Sequence, residues 1–102
     1  MVLQIMKWNV NPNKSNDYPK WAETAIKRTM TPDVIQFRAY RPITGNSQVA
    51  ITYEFKDLAA WTKWQSDRNT QKVLDELRTF AVHLNIEVWG PSPIAPTPVQ
   101  YY

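Results

Sequence analysis

The chain has no cysteine among its 102 residues. That excludes a disulfide framework, a thiolate nucleophile and a Cys-ligated metal, and it is compatible with a reducing compartment. A single histidine leaves no His pair at metal spacing, and two glycines leave nothing for a glycine-rich phosphate loop. No apolar run approaches the roughly 20 residues of a membrane span, and no charged-then-apolar leader precedes the first apolar stretch. A soluble, cytoplasmic protein is expected, with no membrane partner. Clustered positive charge is also missing. The net charge is +3 and the pI about 9.3, yet the basic residues are scattered and Lys27-Arg28 is the only adjacent pair. A phosphate footprint needs a patch or stripe, so nucleic acid is not an expected partner.

What is abundant is apolar and aromatic: 43% hydrophobic residues, with five Trp, five Tyr and three Phe. A chain of this size makes one domain and buries roughly 60–70% of its unfolded surface. Its clearest stretch is Val34 to Phe55, two alternating runs separated by Thr44-Gly45-Asn46-Ser47. Period-two alternation around such a loop predicts a β-hairpin. In the first run Ile35, Phe37 and Ala39 share one face, and Gln36, Arg38 and Tyr40 the other. In the second, Val49, Ile51, Tyr53 and Phe55 oppose Ala50, Thr52 and Glu54.

Residues 2–10 read as a first strand, apolar on both sides, with Leu3 and Ile5 pointing one way and Met6 and Trp8 the other. Asp17 is a candidate helix cap and Pro19 suits a first turn. Tyr18, Trp21, Ala22, Ala25, Ile26 and Met30 then make a helical stripe, which Thr31-Pro32 ends. A second helix is expected from Leu58, capped by Asp57, to about Ala81 or Val82. Its halves aim apart, because Leu58, Trp61 and Trp64 lie well over 90° from the Val73, Leu74, Leu77, Phe80 stripe at about 100° per residue. A kink or break within Ser66–Thr70 follows, since these residues cap well and fill helix interiors poorly. His83 is placed at the helix exit, where its protonated form suits the dipole, and Leu84 to Trp89 is the last strand. The tail, residues 91–102, holds four prolines and is expected outside the core, disordered or with Ile94, Val99, Tyr101 and Tyr102 laid along a partner.

The order β-α-β-β-α-β predicts an α+β ferredoxin-like sandwich over residues 1–90, with an antiparallel sheet and helices on one face. Leu3, Ile5, Ile35, Phe37, the Val49 to Phe55 set, Leu84, Ile86 and Val88 are assigned to the helix side. Gln4, Met6, Trp8, Gln36, Arg38, Tyr40, Thr52, Glu54, Asn85, Glu87 and Trp89 then line the reverse side, which is too aromatic for water. A second copy closing over that side would shield it, so a homodimer is expected.

The order of elements, the strand FRAYRP, the strand VAITYEF and the following DLAAWTKWQSD resemble the dimeric α+β barrel superfamily. Within it, residues 2–90 look most like antibiotic-biosynthesis-monooxygenase-like domains. The resemblance implies a homodimer with a pocket in each subunit between sheet and helices, used in some members for cofactor-free oxygenation of polyketide aromatics and in others for haem degradation. The haem-degrading pattern takes an Asn late in strand one, a helix-two Trp and a His three turns on. Asn9 and Trp61 or Trp64 match the first two, but Leu74 stands at the third and His83 comes too late, so haem is not expected and no cofactor or metal is. The cofactor-free pattern would use Trp8, Asn9, Tyr40, Trp61, Trp64 and Trp89 around a small aromatic molecule, flat rings packing on a flat substrate. Arg38 is a candidate to stabilise an enolate or phenolate, and Glu54 or Glu87 a candidate base if burial raises its pKa. A cross-strand Arg38–Glu54 ion pair at the dimer interface is the plainer explanation of those two residues, core or interface packing explains Trp61 and Trp64, and a strand-end turn explains Asn9. An enzyme of this kind and a non-catalytic dimeric binding protein both remain open. A single-strand RNA binder shares the strand order, but its glycine-bearing strand-three consensus is missing from QVAITYEF.

Overall fold

A computed structural model describes residues 1–101 of the chain. Four strands, β1 (Val2–Val10), β2 (Val34–Tyr40), β3 (Val49–Phe55) and β4 (Ala81–Trp89), form one sheet in the order β2-β3-β1-β4. Every neighbouring pair is antiparallel. Helices α1 (Tyr18–Thr29), α2 (Leu58–Ser66) and α3 (Arg68–Phe80) cover one side. This is the ferredoxin-like α+β fold predicted above. Among the described residues, no helix is long and apolar enough to cross a membrane.

Helix α1 begins with a proline in its first turn, but Asp17 makes no side-chain cap. Its backbone carbonyl instead takes the first helical hydrogen bond, from Trp21 N at 3.2 Å. The predicted break of the second helical segment falls on one residue, Asp67, whose backbone is extended (φ −64°, ψ 134°). The Asp67 carboxylate accepts hydrogen bonds from Asn69 N at 2.8 Å and Thr70 N at 3.2 Å, capping α3, as Asp57 caps α2 through Ala60 N at 2.9 Å. The joint lets Trp64 and the Val73–Leu77 stripe both reach the sheet.

Three assignments of the sequence reading are corrected. First, β1 faces the opposite way. Val2, Gln4, Met6 and Trp8 pair with Phe55, Tyr53, Ile51 and Val49 on the helix side, whereas Leu3 and Ile5 pair with Glu54 and Thr52 on the uncovered side. Second, a bulge between Val34 and Gln36 puts Val34, not Ile35, in the core, leaving Ile35 53% exposed. Third, β4 starts at Ala81, directly after α3. His83 is therefore a strand residue at positive φ (56°) beside the β1–β4 irregularity, not the end of a helix. The hairpin loop is longer than Thr44–Ser47, running from residue 41 to 48, with Gly45 in the left-handed region (φ 94°).

The core joins Val2, Met6, Trp8, Val34, Ile51, Tyr53, Phe55, Trp64 and Leu77. Burying each of the larger chains is worth about 1.5–3 kcal/mol. From Gly90 to Tyr101 the chain has no regular structure, and Ala95 to Pro98 share a groove with Leu3, Glu54 and Trp89 on the uncovered side. Tyr102, part of the predicted tail, lies outside the described residues.

Candidate functional site

Between the sheet and the helices lies a partly open cavity of about 230 Å³. Its walls are α1 (Ala22, Ala25, Ile26, Thr29) and α3 (Val73, Leu74, Leu77), its floor Met6, Trp8, Phe37, Ala39, Val49, Ile51 and Tyr53, with Trp64 of α2 and Tyr18 and Trp21 completing it. The hollow exists because three of these positions are alanine, so methyl groups stand where larger side chains would fill the space.

A polar clasp holds the two helical walls together. Glu76 accepts two bonds from Arg28, Nη1 and Nη2 each at 2.8 Å, and a third from Trp21 Nε1 at 2.8 Å. The Arg28 fork first, and then the Trp21 N–H, depress the Glu76 pKa to about 2. Trp21 also stacks on Phe80, ring centres 4.7 Å apart.

Inside the cavity polar groups are few and mostly engaged. The Thr29 and Tyr53 hydroxyls share a 2.7 Å hydrogen bond, and Trp64 Nε1 donates to the Thr29 carbonyl at 2.9 Å. Burial raises the Tyr53 pKa, against a smaller opposing effect of Thr29. Burial likewise raises that of Tyr18, partly offset by the neighbouring Trp8 indole N–H. That N–H favours the ionised phenol from nearby but does not close a hydrogen bond, and Trp8 Nε1 stays without a partner. Both phenols therefore remain protonated at neutral pH.

Of the residues singled out by sequence, Trp8 and Trp64 line this cavity. Trp8 does so from the side opposite to the one expected. Trp61 stands beside it, its Nε1 donating to Gln4 Oε1 at 2.8 Å. Asn9 is occupied in holding the hairpin loop, its Oδ1 accepting from Gln48 N at 2.8 Å. Tyr40 and Trp89 are half-exposed on the uncovered side of the sheet. Arg38 and Glu54 share a shallow groove there with Gln36, Tyr40 and Thr52. Arg38 lies over the Tyr40 ring, 5.5 Å from its centre, rather than in an ion pair with Glu54. Glu87 accepts from Asn85 Nδ2 at 2.6 Å and Trp89 Nε1 at 3.1 Å, bonds that lower its pKa in that order. The shift is opposite to the one a base acting near neutrality needs. Among the described residues, no three His, Asp or Glu side chains converge as a metal would require. The sequence reading overlooked Tyr18, Thr29 and Tyr53 as site residues. Its available signal was the pair Ala22 and Ala25 within an otherwise bulky helical stripe.

No protein-family profile matches the chain, and neither does any curated protein sequence. Solved structures do. A candidate antibiotic biosynthesis monooxygenase from Deinococcus radiodurans is 12% identical, with 100% of this chain and 99% of that one covered at a TM-score of 0.75. A dimeric ferredoxin-like protein of unknown function from Thermobifida fusca is 11% identical, covering 86% and 88% at 0.66. A variant of SnoaB, a cofactor-independent oxygenase from Streptomyces nogalater, is 12% identical, covering 94% and 97% at 0.70. The chain therefore shares the ferredoxin-like α+β fold of these structures.

Proposed function

We propose that the chain is a cofactor-independent oxygenase of small aromatic, polyketide-type molecules, bound between sheet and helices. The observation that carries this is the ring-walled cavity, in the fold shared with a cofactor-independent oxygenase. Trp8, Trp21, Phe37, Tyr53 and Trp64 hold a flat substrate and exclude water. An anthrone- or hydroquinone-type molecule supplies its own electrons. For a reactive ring methylene, one C–H proton passes to water at the mouth and leaves a carbanion. The carbanion reduces molecular oxygen and forms a C–O bond with it. Once protonated, the resulting hydroperoxide loses one water, breaking its O–O bond and the remaining C–H bond, to leave a ketone. Oxygen is the oxidant and no cofactor enters the balance. Arg38, Glu54 and Glu87 lie across the sheet from this cavity, and the proposed chemistry uses none of them.

The test is oxygen uptake with anthrone and 1,4-dihydroxynaphthalene under air. Uptake above autoxidation is expected, falling at least about tenfold, or about 1.4 kcal/mol, in a folded Ala22→Phe variant whose ring fills the hollow. Rates no higher than buffer alone would sink the oxygenase reading. A second reading, a non-catalytic binding protein, is favoured by one observation: the lining residues include no carboxylate, imidazole or amine.

We also infer that the protein works as a homodimer closed over the uncovered side of the sheet. Tyr40 and Trp89 stand there 47% and 50% exposed, and the chain shares its fold with a dimeric protein.

A further inference from the structure

On the uncovered side the strand registers set the side chains out as rows running across the sheet. The middle row is Arg38 on β2, Thr52 on β3, Ile5 on β1 and Glu87 on β4. A cation therefore stands on one edge strand and a carboxylate on the other. Three strand spacings separate them, about 14 Å, too far for an ion pair within the chain. Among the described residues neither belongs to any ion pair. Arg38 lies over the Tyr40 ring, and Glu87 is steadied by Asn85 and Trp89, one bond to each carboxylate oxygen. Each of those oxygens keeps a lone pair for an incoming guanidinium fork. The tail segment Ala95 to Pro98 shares its groove with the next row, Leu3, Glu54 and Trp89, and not with this one.

A second copy can close over this side with its strands aligned in two ways. A half-turn about an axis lying across the strands, centred on the middle row, sets every strand over itself. Arg38 then meets Arg38 and Glu87 meets Glu87, two like-charge contacts that cost affinity. A half-turn about an axis along the strands sets β2 over β4 and β3 over β1. Arg38 then meets a carboxylate twice, as a self-complementary contact requires. Lys7 and Glu54, on the inner strands, sit over Ala50 and Leu3 in that arrangement and meet no like charge.

We propose that two copies close by the half-turn along the strands, with Arg38 of each paired to Glu87 of the partner subunit. This rests on the dimer reading above and adds what fixes its orientation, two ion pairs that join opposite edge strands. Arg38 and Glu87, which the proposed chemistry leaves idle, thus choose how the second copy sits.

The test is the dimer dissociation constant, from sedimentation of the full chain at graded concentrations. Arg38→Glu and Glu87→Arg, each alone, set like charges opposite each other twice and are expected to weaken the dimer at least about tenfold. Mixing the two variants is expected to bring affinity back to within about threefold of wild type, because a mixed dimer holds one native and one reversed pair. Single variants that dimerise as well as wild type overturn the inference, since charges stacked like on like survive either reversal. A mixture no tighter than its parts overturns it too. Should Glu87→Arg fail to fold, Arg38→Glu decides by salt: its dimer is expected to tighten as sodium chloride is added, while that of wild type loosens. Equal salt responses overturn the inference. A monomeric wild type removes the dimer reading and this pairing together, whereas a wild-type dimer indifferent to both charges removes the pairing alone.

Discussion

Replacing Glu76 by Gln removes the charge at the centre of the clasp between α1 and α3 while keeping its shape. The native carboxyl titrates near 2, about 2.5 units below its ordinary value of 4.5, and at about 1.36 kcal/mol per unit the full linkage is about 3.4 kcal/mol. Arg28 and Glu76 side chains are 34% and 31% exposed, and solvent screening at such a site cuts this to about 1 kcal/mol. The folded pKa is depressed, so this stability is present above the unfolded pKa and is lost as pH falls from about 4.5 towards 2. Urea unfolding of wild type and Glu76→Gln across pH 2–7 is the assay. The gap between them should be about 1 kcal/mol at neutral pH, worth about 4–8 °C in Tm, and should shrink below about pH 4.5 and close towards pH 2. A gap of the same size at every pH, or none at pH 7, would refute the electrostatic origin assigned to the clasp.

Asp67→Ala deletes both hydrogen bonds that cap α3 and should cost about 1 kcal/mol in urea unfolding, whereas Asp17→Ala, with no cap to lose, should cost less than about 0.5 kcal/mol. Wild type should sediment as a dimer at micromolar concentration, and Tyr40→Glu on the uncovered face should sediment as a monomer; a monomeric wild type would remove the basis for a closed barrel.

The hairpin and the helical break were legible because each is local. Alternation spans adjacent residues, and Asp67 caps within three positions of itself. The facing of β1 was not, because both its sides are apolar and only Gln4 suggested a direction. Gln4 is nevertheless buried, at 2% exposure, since Trp61, distant in sequence, satisfies its carbonyl. The bulges at Ile35 and His83 each shift a strict period-two count by one residue. Ala81 and Val82 suit a helix stripe as well as a strand start, so the boundary belongs to the β1 ladder that captures them. The cavity is a property of missing volume, shared by Ala22 and Ala25 on α1 and Ala39 on β2; no single segment contains it.

The one-residue joint at Asp67 also sets a rotational phase. Each residue added within the first turn of α3 would turn the rest of that helix about 100° around its own axis. Val73, Leu74 and Leu77 would swing off the hollow, and Glu76 would lose sight of Arg28. The spacing between Trp64 and Val73 is therefore as fixed a requirement as either side chain, and it constrains every position from the end of α2 to the second turn of α3.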